Sequence, residues 1–292
     1  MELKIEHLCK SYGKKETLKE VSFILNKGTY GLLGENGAGK STLMRILSTV
    51  DFPTKGQVFY DEKDIFILDE EYRNLIGYMP QDYSVYPGFT AKDFLEYMGA
   101  LKGISKGKLK KKIPEALEFV NLSEVAKKKV RTFSGGMKRR LGIAQSILND
   151  PKILILDEPT AGLDPKERIR FSNIISDMSN DKIVLWSTHI VSDIEAIASE
   201  LIIIKKGEIL RTGKIDEIID EANDKVWEVT VEQDLFSQLR KERSIIHMKQ
   251  WEGKVQVRFV GEKYPNIENI PVKPTLEDYY MFIGVQDRKE DD

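Results

Sequence analysis

The sequence is organised around a glycine-rich loop that lies between a predicted strand and a predicted helix. The loop follows the strand-like run at residues 30–33 and has the sequence Gly34-Glu35-Asn36-Gly37-Ala38-Gly39-Lys40-Ser41-Thr42. Apolar residues recur after it at 43, 46, 47 and 50, the spacing of a helix with one buried face. Glycines let backbone N–H groups converge on a polyphosphate, while the lysine reaches the outer phosphates and the serine can ligate Mg²⁺. Because a helix amino terminus also favours anions, this stretch predicts a phosphate-binding loop.

Two later strand-like runs end in polar residues with the chemistry of a hydrolytic site. The apolar run Ile153–Leu156 is typical of a central parallel strand, and it stops at Asp157 and Glu158. One carboxylate of such a pair can hold Mg²⁺ while the other orients and deprotonates a water molecule. His189 closely follows a strand-like run at residues 183–186, at the sheet edge where open α/β folds bind ligands. A lone histidine is more often structural, so the residues alone leave both roles open for His189.

Three other features have two interpretations each when the residues are considered alone. Tyr12 lies in a polar turn ahead of the loop and either stacks on a nucleotide base or is a half-exposed turn residue. Ser134 can cap the helix that starts with Gly135 and Gly136, yet cations at 138–140 oppose the dipole of that helix. They indicate either a nearby anion or simple solvent exposure. The aromatic segment 83–89 either docks a partner or packs as an ordinary loop.

Composition excludes several classes of protein. The chain has 292 residues, a formal net charge of −2 and 32% charged residues of both signs, which argues against a bulk nucleic-acid binder. Its single cysteine, Cys9, excludes an internal disulfide and a cysteine-only metal site, as expected in a reducing cytoplasm. No stretch approaches the roughly 20 apolar residues of a membrane span. We therefore expect any membrane role to depend on a partner.

The chain divides by character into two regions, the first of which contains an insert. Residues 1–215 carry the motifs described above and are expected to form one α/β domain, in which residues 82–150 form a helical insert. Residues 216–292 alternate short strand-like and helical runs and predict a small α+β accessory domain without a chemical constellation of its own.

Together, the glycine-rich loop, Gln81, the segment 134–137, the run 153–158, Asp164 and His189 resemble the nucleotide-binding subunit of an ATP-binding cassette (ABC) transporter. The resemblance covers about three quarters of the chain, and the order and spacing of its motifs make it far more specific than the loop alone. It implies an α/β P-loop NTPase fold with a mixed central sheet, an antiparallel β subdomain and a helical insert. The small α+β unit would be a C-terminal appendage.

The resemblance also implies a role for each motif residue. ATP would lie between two cassettes, with the phosphate loop of one chain and Ser134, Gly135, Gly136 and Asp164 of the other enclosing it. Glu158 would act as general base, and His189 would contact the γ-phosphate. Ser41, Asp157 and Gln81 would assist at Mg²⁺, and Tyr12 would stack on the adenine. The second cassette would be another copy of this chain or a paralogous cassette.

The resemblance further implies an integral membrane permease as partner, and hence a cytoplasmic protein held peripherally at the inner face of the cell membrane. The resemblance identifies residues 134–138 as the signature motif of the family. This motif departs from the usual pattern at Met137 and Lys138, a variation associated with exporters whose permease is a separate polypeptide. An importer cassette is the alternative, as is a soluble ABC-type ATPase acting on ribosomes or nucleic acid. That soluble class usually has two cassettes or a long coiled-coil insert in one chain, so no nucleic acid is expected here. A non-catalytic cassette is disfavoured because Asp157, Glu158 and His189 are all present.

Overall fold

The computed structural model describes residues 1–82, 85–178, 181–251 and 253–290. The chain forms two compact units, Met1–Thr212 and Gly213–Asp292. None of the described helices is both long enough and apolar enough to cross a membrane.

The secondary structure alternates strands and helices along the chain. Up to residue 214 the strands are β1 (Leu3–Tyr12), β2 (Lys15–Leu25), β3 (Gly28–Leu33), β4 (Lys55–Tyr60), β5 (Lys63–Asp64), β6 (Ile76–Met79), β7 (Ile153–Leu156), β8 (Ile183–Thr188), β9 (Glu200–Lys205) and β10 (Glu208–Lys214). The helices over the same range are α1 (Lys40–Leu47), α2 (Ile65–Leu68), α3 (Glu70–Leu75), α4 (Ala91–Leu101), α5 (Lys106–Phe119), α6 (Gly135–Ile147), α7 (Pro165–Met178) and α8 (Val191–Ile197). Short 3₁₀ turns occupy Ser123–Val125 and Val130–Thr132.

A six-stranded sheet of order β10-β9-β3-β8-β7-β6 forms the centre of the first unit. Strands β3, β6, β7, β8 and β9 pair in parallel. Every residue of β7 and β8 is buried, as expected for strands covered on both faces. The register pairs Leu33 with Thr188 and Met79 with Leu156, so these strands end at the same edge of the sheet. The segments after them, which carry the predicted site residues, therefore meet there.

An antiparallel sheet of order β2-β1-β4-β5 lies beside the central sheet. In its first hairpin, β1 and β2 pair as far as the polar residues at the tip. Tyr12 pairs with Lys15, and Gly13 makes the turn with a φ of 60°. The placement of Tyr12 in a turn is therefore wrong, because it is the last residue of β1. Val50 was expected on the buried face of the helix after the loop, but α1 ends at Leu47 and Val50 is exposed.

The insert is helical, as predicted. Thr90 and Asp93 form a reciprocal capping box at the start of α4, which fixes where this helix begins. Of the aromatic segment 83–89, residues 83 and 84 lie outside the described residues. Tyr86 and Phe89 pack on each other and on Tyr97 of α4, with ring centroids 5.0 to 5.9 Å apart.

The second unit is an α+β unit with its own core. Its helices and strands are α9 (Ile215–Asp220), β11 (Val226–Val231), α10 (Gln233–Glu242), β12 (Ser244–Trp251), β13 (Lys254–Val260), β14 (Ile270–Pro271) and α11 (Leu276–Glu290). The sheet order is β12-β13-β11-β14. The periodicity of the sequence does not indicate β12.

Candidate nucleotide site

The phosphate loop connects the end of β3 to the start of α1. Two of its glycines are required by close backbone approaches. A Cβ on Gly34 would lie 2.4 Å from the Ile204 carbonyl oxygen, and one on Gly39 would lie 2.9 Å from that of Thr17. Gly39 also has a φ of 112°, which disfavours any residue with a side chain. The loop can therefore bring its N–H groups towards an anion only with glycine at these places.

Lys40 is the first residue of α1, and its side chain is only 5% exposed. Its Nζ donates to the carbonyl oxygens of Gly34 and Glu35, at 2.6 and 3.2 Å. It also lies 3.4 Å from Oε1 of Glu158. The loop and the carboxyl end of β7 are thus joined through one buried cation.

Both carboxylate oxygens of Glu158 have partners. Oε1 faces Lys40, and Oε2 lies 2.8 Å from Nδ1 of His189. The backbone of Glu158 has a φ of 49°, an uncommon conformation, and its N–H donates to Ser187 Oγ. Such conformations concentrate at functional sites, where the surrounding structure holds them. A carboxylate oriented by an imidazole in this way is suited to accept a proton from a water molecule.

Asp157 lies at the same strand end and is 2% exposed. Burial raises the pKa of its carboxyl, although hydrogen bonds from the hydroxyls of Ser187 and Ser41 oppose the shift. The Ser187 hydroxyl donates to Oδ1 at 2.6 Å. Ser41 and Asp157 thus bring a hydroxyl and a carboxylate together, the hard oxygen donors that Mg²⁺ prefers, so these residues fit the expected ion.

A cavity of about 470 Å³ lies in front of these groups. It is large enough for a small-molecule ligand. Its walls are formed by β1 and β2 of the antiparallel sheet, by the phosphate loop, and by the segments that follow β6 and β7 of the central sheet. The lining residues are Tyr12, Lys15, Thr17, Asn36, Gly37, Gly39, Lys40, Ser41, Thr42, Gln81 and Glu158.

The comparisons with known proteins agree with this geometry. A family model described as ABC transporter matches residues 18–161. An uncharacterized ABC transporter ATP-binding protein of Bacillus subtilis is 43% identical over 80% of this chain and 78% of that protein. The chain belongs to the ABC transporter family. The linearmycin resistance ATP-binding protein of the same organism is 36% identical over 78% of this chain and 75% of its own length. Nod factor export ATP-binding protein I of Ralstonia nicotianae is 36% identical over 74% of this chain and 68% of its own length.

Solved cassettes share the fold. An ATP-binding subunit of an ABC transporter superposes with a TM-score of 0.68 at 26% identity, covering 76% of this chain and 93% of that structure. A dimeric cassette in a post-hydrolysis state with ADP and phosphate has a TM-score of 0.66 at 28% identity, covering 73% and 98%. This chain is thus an ATP-binding subunit with ATPase activity, and the predicted α/β P-loop fold is confirmed.

The cassette brings most of the predicted site residues together, but some lie elsewhere. Ala38 is buried within the phosphate loop and does not line the cavity, and His189 reaches the site through Glu158. The signature residues Ser134, Gly135 and Gly136 begin α6 and do not line the cavity. Ser134 Oγ accepts from the Met137 N–H, so the predicted helix cap is confirmed.

Asp164 also lies away from the cavity lining. Its carboxylate accepts from the Glu167 N–H at 2.9 Å and caps the start of α7. Gly136 is close to the same helix, because a Cβ added there would lie 3.3 Å from Cγ of Glu167. Gly136 and Asp164 therefore both lie near Glu167, in the first turn of α7.

Sequence reasoning missed four residues of the cassette site. Lys15 and Thr17 line the cavity from β2, and Ser187 joins the two acidic residues. Arg139 donates from Nη1 to the carbonyl oxygen of Gln81 at 2.8 Å, linking α6 to the segment after β6. Ser187 had a local signal in its position between the strand-like run 183–186 and His189, and Arg139 had one as a cation that opposes the dipole of its helix. The others depend on contacts between distant parts of the chain.

Proposed function

We propose that this cassette hydrolyses ATP to drive export through a separate membrane permease. The observation that carries the hydrolytic part is the contact series from Lys40 through Glu158 to His189 at the wall of the cavity. Export is supported by relatives named for linearmycin resistance and for Nod factor export. The variant signature at 137 and 138 agrees with that direction.

In this mechanism the loop N–H groups and Lys40 bind the phosphates of ATP. Phosphate oxygens compete with Oε1 of Glu158 for the Lys40 cation, which leaves this carboxylate oxygen available to a water molecule. The water oxygen attacks the γ-phosphorus, the bond to the β–γ bridging oxygen breaks, and Glu158 takes the water proton. His189 holds Glu158 in orientation through Oε2 and contacts the γ-phosphate.

Ser41, Asp157 and Gln81 would hold Mg²⁺, with Gln81 at the cavity wall. The ion would neutralise charge on the phosphates as the bond breaks. Tyr12 lines the same cavity and would stack on the adenine.

A second cassette would complete the site. Ser134, Gly135, Gly136 and Asp164 lie outside the lining of the cavity in their own chain, so they are available to a nucleotide held by another. The dimeric arrangement of a similar cassette supports this assignment. The second cassette is another copy of this chain or a paralogue, and the permease would hold the pair at the cytoplasmic face of the membrane.

The substitution Glu158→Gln tests the hydrolytic assignment. It removes the proton acceptor and preserves shape, so turnover should fall by about 10²- to 10⁴-fold while ATP binding persists. Glu124→Gln is a charge-matched control on an exposed turn of the insert and should leave turnover unchanged. Unchanged turnover in Glu158→Gln would overturn the assignment.

A pull-down tests the transport assignment. Tagged Glu158→Gln protein is recovered from cells solubilised in mild detergent with ATP and Mg²⁺, and the co-purifying proteins are identified. A polytopic membrane protein in near-equal amount is the expected result. Ribosomal components or DNA without a membrane protein would contradict a transport role, and an associated solute-binding protein would favour import over export.

A further inference from the structure

Lys10 and Asp51 form a compact cluster with Tyr12 at the edge of the nucleotide cavity. The Tyr12 hydroxyl donates to Oδ2 of Asp51 at 2.5 Å, and Lys10 Nζ donates to Oδ1 at 2.6 Å. The same ammonium donates to the Phe52 carbonyl oxygen at 2.6 Å and lies 4.9 Å from the centroid of the Tyr12 ring. The cluster therefore joins the end of β1 to the segment that follows α1.

The burial of the three side chains is uneven. Lys10 and Asp51 are 12% and 16% exposed, whereas Tyr12 is 44% exposed and lines the cavity. The two charges are thus held beneath an accessible ring. The Tyr12 hydroxyl also interacts with the Thr42 hydroxyl of the phosphate loop.

These contacts restrict the ring at both its hydroxyl end and one of its faces. A half-exposed tyrosine at a strand end would otherwise sample several rotamers, and ordering it on binding costs free energy. Burial acts to raise the pKa of Asp51, but hydrogen bonds from Lys10, Tyr12 and the Phe52 N–H lower it to about 2. Asp51 is therefore an anion throughout the physiological pH range, and the hydrogen bond from Tyr12 persists there.

We propose that Asp51 and Lys10 are positioning residues that hold the Tyr12 ring ready to stack on the base of the nucleotide. This inference rests on the proposed stacking role of Tyr12. In the proposed binding mode the phosphates lie against the loop backbone and Lys40, so losing Lys10 or Asp51 should weaken binding of ligands that carry a base. Tripolyphosphate, which has no base, should bind as before.

The test compares affinities of the full chain for Mg²⁺-ATP and Mg²⁺-tripolyphosphate in the Glu158→Gln background. Tyr12→Ala removes the ring and should weaken ATP binding by about 5- to 100-fold, the usual effect of losing a stacked base. Tyr12→Phe keeps the ring without its hydroxyl, and Asp51→Ala and Lys10→Met remove its partners. Each should weaken ATP binding by about 3- to 10-fold, the effect of ordering one side chain on binding. Asp51→Asn keeps an acceptor for the hydroxyl and should recover part of the loss.

Tripolyphosphate affinity should be unchanged in all of these variants, which also shows that the loop is folded. Glu71→Ala, an exposed acidic residue of α3, is the control and should alter neither affinity. If Tyr12→Ala weakens ATP alone but Tyr12→Phe and Asp51→Ala do not, the positioning proposal fails and the stacking role stands. If Tyr12→Ala has no effect on ATP binding, the stacking role fails as well. Equal losses for both ligands in Asp51→Ala and Lys10→Met would show that the cluster only maintains the loop.

Discussion

At the scale of single residues, the burial of the Asp157 carboxylate lowers the stability of the nucleotide-free protein. Its pKa is raised above the ordinary value of 3.8, chiefly by burial. Between that value and the raised pKa, the folded chain binds more protons than the unfolded one, so this residue's contribution to stability falls as pH rises through the window. At pH values above the raised pKa, Asp157 is ionised in both states and the full cost of burying its charge lowers the stability of the folded chain.

Asp157→Asn should therefore be more stable than the parent in the nucleotide-free state at pH 7, because the amide cannot ionise. The gain should disappear near pH 3, where the aspartate is protonated in both states. Urea unfolding at the two pH values measures this difference. The same variant should lose Mg²⁺-dependent turnover, and a variant less stable than the parent at pH 7 would contradict the argument.

Lys40 should show energetic coupling to Glu158 because their side chains form a buried ion pair 3.4 Å apart. Lys40→Met should cost about 1.5 to 3 kcal/mol of nucleotide affinity through the lost charged hydrogen bonds. It should also destabilise the fold, since Glu158 loses its cation in a buried position. In the Glu158→Gln background this destabilisation should shrink by about 0.5 to 3 kcal/mol, as a double-mutant cycle measured by chemical unfolding would report. Strict additivity would show that the pair does not interact.

At the scale of elements, α6 contacts three parts of the cassette through two cations of its first turns. Arg139 reaches the segment after β6, and Arg140 reaches the end of α5 and α7. The sequence predicted that these cations oppose the helix dipole and therefore need an anion or solvent. Arg140 is buried, and its Nη1 donates to the carbonyl oxygens of Val120 and Asn121 at the end of α5. Its Nε lies 3.0 Å from Oε2 of Glu167 in α7. The anion is thus a side chain of the same cassette, and the guanidinium also satisfies two carbonyls at a helix terminus.

Arg140→Met should destabilise the first unit by about 1 to 3 kcal/mol, because the carbonyls of Val120 and Asn121 lose their donor and, among the described residues, Glu167 keeps only Arg170 as a cationic partner. Arg140→Lys should recover only part of the loss, since an ammonium cannot reproduce the fork of donors. Arg131→Met, an exposed position of the same insert, should stay within about 0.5 kcal/mol of the parent. Chemical unfolding measures all three. Equal stability of the Arg140 and Arg131 variants would show that the pair contributes nothing.

At the scale of the whole molecule, each compact unit has a hydrophobic core made of its own residues. The core of the second unit contains members of β11, α10 and β13, among them Phe259, which is fully buried. Phe259→Ala should cost that unit about 3 to 5 kcal/mol. Hydrogen exchange should then show lost amide protection within residues 213–290 and not in the central sheet. Met248→Ala, at a 64% exposed position of β12, is the control, and loss of protection throughout the chain would contradict separate cores.

Local chemistry was sufficient to predict several parts of the fold. The loop between β3 and α1 and the cap at Ser134 follow from glycine conformations, side-chain caps and apolar periodicity within a few residues. The periodicity failed for β12. This strand pairs with β13 along most of its length, and that pairing supports an extended structure that the local pattern does not indicate.

The sequence by itself determined which chemical groups stand at the ends of strands and helices, because those positions depend on short-range backbone preferences. Only the tertiary structure decided which of them touch. Glu158 meets His189 and Tyr12 meets Asp51 across 31 and 39 residues of chain. Their separations depend on strand register and on the packing of α1 against the sheets. No local pattern encodes either of these. The contacts that orient the Glu158 carboxylate and the Tyr12 ring therefore appear only in the folded chain.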